Sequence, residues 1–167
     1  MFEKPRYSHA SKEATKLLAQ VNLNSPPIEL KTILEHLNIN LLEYDFPKNI
    51  SAILLKDEDM LVVGVNKNDP PNRQRFSIAH EIGHYILRHY NDVFIDTSEI
   101  ATGRFDYSDN SNKAQEQEAN HFASELLLPS SLIQKDFKRF KNVDELARIY
   151  KVSKEALWIK LLKLKLV

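Results

Sequence analysis

The sequence predicts an α+β fold in which a small three-stranded sheet packs on a helical core that is followed by a helical C-terminal segment. Three observations lead to this prediction. Three short extended runs follow one another between residues 39 and 66, helical patterns flank them, and a His-Glu-x-x-His motif lies in the next helical segment. A chain of 167 residues is long enough to bury one core. The absence of cysteine excludes disulfides, thiolate metal sites and a cysteine nucleophile.

The elements before the motif follow from turn signals and periodicity. In chain order they are a helix over 8–21 that Ser8 or Ser11 can cap, a helix over 28–37 after Pro26-Pro27, and strands over 39–44, 50–56 and 60–66. Strand 60–66 is the last strand before the helix that carries the motif, so we predict that it forms an exposed sheet edge at which an extended peptide could pair. An ordinary half-buried strand is the alternative for the same residues.

The His-Glu-x-x-His motif is the most informative feature of the chain. His80 and His84 lie one helical turn apart on the same face, so both imidazoles can reach one metal ion. Glu81 then lies beside the metal, where it can take a proton from a water molecule. Two buried histidines that are merely hydrogen-bonded are the alternative, but this leaves the acid beside them unexplained. Gly83 costs roughly 1 kcal/mol relative to alanine in a helix, which predicts a close approach of another element; simple tolerance of one glycine is the alternative.

A catalytic zinc usually has three protein ligands, so the motif requires a third one. The metzincin pattern fails here, because Leu87 and Tyr90 stand where its glycine and third histidine are needed. His89 lies about 140° round the helix from His84, so it faces away from the metal if the helix continues. The third ligand is therefore expected downstream.

Glu116 is the better candidate, at the start of a second helical pattern that ends before Pro129. Asn120 shares its helical face and could orient one of the histidine rings. The small Ala119 would let two helices pack closely. Glu118 is the alternative ligand, but it points elsewhere on the helix and we expect it to be solvated.

Two blocks of the sequence resemble the ImmA/IrrE family of metallopeptidases. Residues 75–87 read RFSIAHEIGHYIL, and residues 116–129 read EQEANHFASELLLP. They match in order the family's patterns R-F-x-x-A-H-E-x-G-H and E-x-x-A-N-x-F-A-x-x-L-L-x-P. Together they are far more specific than the five-residue motif alone.

The resemblance implies one catalytic Zn²⁺ per chain, with His80, His84 and Glu116 as its ligands and Glu81 as the general base. It implies a zincin-like core of the gluzincin type. Members of the family occur in bacteria and their mobile elements and are thought to cleave or antagonise helix-turn-helix repressors, and some lie beside toxins. The implied partners are thus a repressor as protein substrate and, as a second candidate, a toxin.

The net charge of zero is unevenly distributed along the chain. From Ser131 onward, ten Lys and Arg outnumber four Asp and Glu, so a basic segment follows an acidic body. We therefore divide the chain into a metallopeptidase-like core, 1–130, and a basic helical subdomain packed on it, 131–167. The N-terminus lacks the apolar stretch of a signal peptide, and the longest apolar runs are too short to span a membrane, which predicts a cytoplasmic protein.

The C-terminal segment has the outline of a helix-turn-helix. Helices are predicted over 143–150 and 154–164, with Ser153 as the cap of the second. The second helix presents Trp158 and Ile159 rather than side chains suited to base recognition, so we favour packing against the core over DNA binding. The same surface could instead recognise the protein substrate.

The segment from 89 to 113 is polar and irregular, with one candidate strand over 93–95. Its Tyr90, Arg104 and Tyr107 are candidates to stabilise an oxyanion. No spacing argument chooses among the three.

The sequence therefore predicts a zinc-dependent endopeptidase that cleaves a regulatory protein such as a helix-turn-helix repressor. The first alternative is a non-catalytic, peptidase-like binding module that acts as an anti-repressor or antitoxin by contact. The second is a DNA-binding regulator that uses the C-terminal helices.

Overall fold

The computed structural model describes residues 4–57, 59–89 and 110–167. Within these ranges the chain forms seven helices and one three-stranded sheet, which confirms the α+β prediction. The elements are α1 (Tyr7–Gln20), α2 (Leu30–His36), β1 (Ile39–Tyr44), β2 (Ala52–Asp57), β3 (Met60–Asn66), α3 (Pro71–Ile86), α4 (Asn110–Leu127), α5 (Ser130–Phe140), α6 (Val143–Tyr150) and α7 (Lys154–Lys163). Helix α4 begins six residues before the predicted start at Glu116.

The sheet has the order β1-β3-β2, with β1 parallel and β2 antiparallel to β3. Val63 pairs with Leu41 on one side and Leu54 on the other. The prediction that β3 is the exposed edge is therefore wrong. The physical reason is burial: β3 is almost entirely apolar, and its second half is inaccessible to solvent, with Val63 and Val65 at most 1% exposed. The edge strands are β1 and β2.

One hydrophobic core connects the elements on both sides of residue 130. It joins α1, α2, β3, α3 and α4 to the last three helices, which contribute Ile133, Leu146, Tyr150, Leu157 and Leu161. The division into a core and a C-terminal subdomain at residue 130 therefore stays a prediction. The hydrophobic core continues from one part into the other.

A buried ion pair also ties α7 to α4. Lys160 donates to the Glu125 carboxylate, and both residues are less than 10% exposed. Ser130 satisfies the same carboxylate through its backbone N–H and its hydroxyl, each at 2.8 Å. Because a buried ion pair needs this kind of full hydrogen bonding, the contact holds α7 at a defined place on α4.

The predicted helices of the C-terminal segment are confirmed. Helices α6 and α7 are separated by three residues, and the Ser153 hydroxyl accepts a hydrogen bond from the Ala156 N–H at 3.1 Å. Lys151 ends α6 in the left-handed conformation with φ 52°. None of the helices in the described ranges combines the length and the apolar character needed to cross a membrane.

Candidate functional site

The site lies where α3 packs against α4, and Gly83 is the point of closest approach. A Cβ atom at Gly83 would lie 3.0 Å from Cδ1 of Phe122 and 3.2 Å from the carbonyl oxygen of Ala119. The predicted close approach of another element is therefore confirmed. The glycine on α3 and the small residue on α4 allow the two helices to bring their polar side chains together.

The structure brings the three predicted ligand residues into one cluster. The Nε2 atoms of His80 and His84 lie 2.9 Å apart. Glu116 places one carboxylate oxygen 3.1 Å from His80 Nε2 and the other 3.0 Å from His84 Nε2. One ligand atom from each of the three residues lies within 4.8 Å of the others, so they could hold a metal ion.

The chemistry of this cluster fits a zinc-type cation. His80 Nδ1 lies 2.9 Å from the amide oxygen of Asn120, so Nδ1 donates to that oxygen, and Nε2, which faces Glu116, is the nitrogen that a metal ion would bind. The predicted contact of Asn120 with a histidine ring is thereby confirmed. Ligand atoms of a tetrahedral zinc with bonds of about 2.0–2.1 Å lie about 3.3 Å apart, close to the separations seen here.

The ionisation of the cluster favours a cation as well. Burial would raise the pKa of Glu116, but its close contacts with the imidazole rings of His80 and His84 hold that pKa far below its usual range. Burial opposes protonation of His80, but the hydrogen bond to Glu116 and the charges of Glu81 and Glu116 raise the pKa of its ring overall. The pocket therefore presents a carboxylate and attracts positive charge.

Glu81 is buried on α3 and lines an open cleft of about 370 Å³ together with His80, His84 and Glu116. Ala52 and Ile53 on β2 also line this cleft. Edge strand β2, and not β3, is thus the strand that borders the site. A glutamate beside a His-His-Glu cluster at the wall of an open cleft is the arrangement of a metallopeptidase.

Glu118 is the main correction to the sequence-based predictions for the site. Its side chain is only 4% exposed, because Arg6 donates to it from the backbone N–H at 2.7 Å and from Nε and Nη2 at 3.0 Å. Burial opposes ionisation, but the Arg6 hydrogen bonds lower the pKa of Glu118 to about 2. The expectation of a solvated Glu118 was wrong because the partner comes from 112 residues away, beyond the reach of any local pattern.

His89 also lies differently from the position expected on a continuing helix. Helix α3 ends at Ile86, and Arg88 adopts a left-handed conformation with φ 55° that turns the chain back. His89 Nδ1 consequently lies 2.9 Å from His84 Nδ1, and its Nε2 lies 3.0 Å from Glu118 Oε2. His89 is therefore not beside the ligand cluster but behind it.

An apolar groove of about 980 Å³ continues from the cleft. The two cavities share Arg73, Phe76 and Asn120 in their walls. The lining of this groove includes apolar residues from the end of α4, from α7 and from the turn before α7, namely Leu127, Leu128, Val152, Ala156 and Ile159. Sequence reasoning missed the groove because it depends on how α7 sits beside α4, and it missed Arg73, which contacts Ser51 from 22 residues away. The oxyanion candidates Tyr90, Arg104 and Tyr107, and the candidate strand over 93–95, lie outside the described residues.

Comparison with known proteins identifies the family. The family model Peptidase_M78, the IrrE N-terminal-like domain, matches residues 34–162. The chain therefore belongs to the ImmA/IrrE family of metallopeptidases, as its two sequence blocks predicted.

Two known proteins illustrate the relationship. The radiation response metalloprotease IrrE of Deinococcus radiodurans is 32% identical over 101 residues, which cover 58% of this chain and 29% of that protein. A solved structure of a Mycobacterium tuberculosis transcriptional regulator superimposes with a TM-score of 0.69 at 18% identity, over 92% of this chain and 46% of that one. The second similarity shows a shared fold. The chain thus spans less than half the length of either protein.

Proposed function

We propose that the protein is a zinc-dependent endopeptidase with a gluzincin-type core that cleaves a specific regulatory protein. The observation that carries this proposal is the convergence of His80, His84 and Glu116 on one point, with Glu81 buried beside them at the wall of an open cleft. In this proposal the first three residues are the ligands of one Zn²⁺, and Glu81 is the general base.

The chemistry then divides between the ion and the chain. A zinc ion bound there would polarise the scissile carbonyl and lower the pKa of a water molecule to roughly 7. Glu81 would accept the proton of the attacking water and return it to the leaving amine. Asn120 would hold the ring of His80 through its hydrogen bond to Nδ1.

The cavities support a polypeptide as the substrate and internal cleavage as the reaction. Edge strand β2 borders the cleft, so an extended segment could pair along the outer side of this strand while the scissile bond of the segment lies over the ligand cluster. The apolar groove continues the cleft beyond Phe76 and could hold several further side chains of the same segment. A site built for a single amino acid would need no such extension.

A helix-turn-helix repressor is the substrate class that we propose, with a toxin as a second candidate partner, in the cytoplasm. Membership of the ImmA/IrrE family supports it, and the relatives named above are a radiation response protease and a transcriptional regulator. The C-terminal helices would contribute to recognition of that substrate through the apolar groove.

DNA binding through α7 receives less support. Of its lysines, Lys160 is buried against Glu125, and Lys154 pairs with Asp144 at 2.8 Å. Phosphate contacts need free exposed cations, so this helix offers less positive charge than its composition indicates. The non-catalytic binding module remains the main alternative, since contact alone could neutralise a repressor.

The deciding experiment compares wild-type protein with Glu81→Gln and Glu116→Ala. Elemental analysis should find about one zinc per chain in the first two and less in Glu116→Ala, because only the last removes a ligand. Each form is then expressed in the bacterial host, and new protein N-termini are labelled and identified by mass spectrometry. We expect specific new N-termini with wild-type protein alone.

Three results would each change the proposal. Cleavage that survives Glu81→Gln would remove its role as the base. A biological effect that survives Glu81→Gln without any new N-termini would favour the binding module. Wild-type protein that holds no zinc, even after incubation with it, would refute the metal site itself.

A further inference from the structure

We propose that His89, Glu118 and Arg6 form a positioning relay that fixes the ring of His84 in the tautomer needed for metal binding through Nε2. The relay runs from Arg6 at the N-cap of α1, through Glu118 on α4, to His89, which lies three residues after the end of α3. It rests on the proposed function only in taking His84 as a metal ligand.

The direction of each hydrogen bond in the relay follows from the contact between Arg6 and Glu118. Arg6 can only donate, and it donates three hydrogen bonds to Glu118. Glu118 therefore acts as an acceptor, and the contact of 3.0 Å between its Oε2 and His89 Nε2 requires the proton to lie on His89 Nε2. Because Arg6 already balances the charge of Glu118, His89 completes the relay as a neutral ring.

The contact between His89 and His84 then determines which ring nitrogen of His84 carries the proton. A neutral His89 with its proton on Nε2 has only a lone pair on Nδ1. The Nδ1 atoms of His89 and His84 lie 2.9 Å apart, so His84 must donate from Nδ1. Its Nε2 then carries a lone pair that faces Glu116 and the Nε2 of His80. In the other tautomer, two lone pairs would oppose each other at 2.9 Å, and a proton would point into the ligand cluster.

Burial makes this arrangement difficult to replace. The side chains of His84, His89 and Glu118 are each at most 5% exposed. Solvent therefore cannot readily supply a substitute donor or acceptor, and an unpaired buried nitrogen costs about 1–3 kcal/mol. The two histidines of the motif are thus held differently: Asn120 orients His80 through one neutral contact, and a charged chain of three residues orients His84.

The test uses a matched pair of substitutions at position 89. His89→Phe keeps a ring of similar size but removes the acceptor, whereas the amide of His89→Gln can accept from His84 and donate to Glu118. Zinc affinity is measured by competition with a chromophoric chelator. We expect His89→Phe to bind zinc about 10–100-fold more weakly, and His89→Gln to recover most of that loss.

A second readout follows the tautomer itself. Nitrogen-15 NMR of the zinc-free protein should show His84 protonated on Nδ1 in wild type and His89→Gln, and a shift toward Nε2 protonation in His89→Phe. The control is His121→Phe, since His121 lies on α4 but contacts Ser11 and Tyr7 instead of the relay. It should change neither readout.

The outcomes separate the relay from the proposed function. If wild type binds no zinc, the proposed function fails, while the NMR readout still tests the relay. If wild type binds zinc and His89→Phe matches it in affinity and tautomer, the relay is overturned. Should His89→Phe fail to fold, Arg6→Ala at the exposed end of the relay must still weaken zinc binding several-fold, and an unchanged affinity would equally overturn the proposal.

Discussion

Replacement of Gly83 by alanine tests whether the contact between α3 and α4 sets the geometry of the site. The new methyl group would meet the carbonyl oxygen of Ala119 at 3.2 Å, the Cα of Ala119 at 3.3 Å and Cδ1 of Phe122 at 3.0 Å. The first two are backbone atoms that cannot rotate away. The helices would therefore have to separate by a few tenths of an ångström.

Two opposing effects decide the sign of the stability change. Alanine is favoured over glycine in a helix by about 1 kcal/mol. Overpacking of a well-packed contact typically costs about 1–3 kcal/mol. We therefore expect Gly83→Ala to lower the free energy of unfolding of the zinc-free protein by about 1 kcal/mol, which is about 2–4 °C in melting temperature for a chain of this size.

The same displacement should weaken zinc binding. Glu116 lies three residues before Ala119 on α4, so a movement of this helix away from Gly83 also moves the carboxylate away from the two imidazoles. Because a site must be held within about 0.5 Å of its productive geometry and a few tenths of an ångström take up much of that range, we expect zinc affinity to fall by up to roughly tenfold in a chelator competition. Gly64→Ala is the matched control, since the nearest atoms to its new Cβ belong to the side chains of Phe46 and Ile53 and not to backbone, and its zinc affinity should match wild type. A Gly83→Ala protein that is more stable by about 1 kcal/mol and binds zinc normally would refute this reasoning.

Three further predictions concern contacts around the site. Lys160→Met should cost about 3–5 kcal/mol in urea denaturation, because it leaves Glu125 buried without its cation, and the double variant with Glu125→Gln should recover most of the loss. The lowered pKa of Glu118 contributes about 3 kcal/mol to the free energy of unfolding of the zinc-free protein, and this contribution is present above pH 4.5 and lost as the pH falls toward 2. The difference in stability between wild type and Glu118→Gln should therefore shrink over that pH interval. A difference that stays constant would contradict the assignment. Ile159→Glu in the apolar groove should raise KM for quenched-fluorescent library peptides with apolar residues, with little effect on kcat, whereas the exposed Leu42→Glu on β1 should change neither.

The features that the sequence predicted correctly are those that depend on short spacings. The spacing of His80 and His84 places both on one helical face, and Asn120 lies one turn after Glu116, so periodicity alone brought these residues together. Gly83 could be interpreted for a similar reason, because a glycine inside a helix is costly unless it is needed there. The start of α7 followed from its Ser153 cap, but the predicted cap of α1 by Ser8 or Ser11 is wrong, because α1 begins at Tyr7 with Arg6 as its N-cap and no side-chain cap.

The features that the sequence did not predict depend on contacts between elements that lie far apart in the chain. Whether β3 lies in the centre of the sheet or at its edge depends on which strands pair with it, and the alternation along β3 is the same in both cases. The burial of Glu118 depends on Arg6 at the other end of the chain. The contact of His89 with His84 was not predicted, because it depends on the left-handed Arg88 that turns the chain back after the end of α3 at Ile86.

Helix α4 explains why the second sequence block is so dense in polar residues. Glu116 and Asn120 share the face that meets the motif histidines. Ala119 provides the surface against which α3 packs. Glu118 lies about 200° round the helix from Glu116 and contacts Arg6 and His89. One short stretch of helix therefore supplies a ligand, a contact to the ring of His80 and the central member of the relay to His84. A change at any of these positions should alter zinc affinity even where it leaves the fold intact.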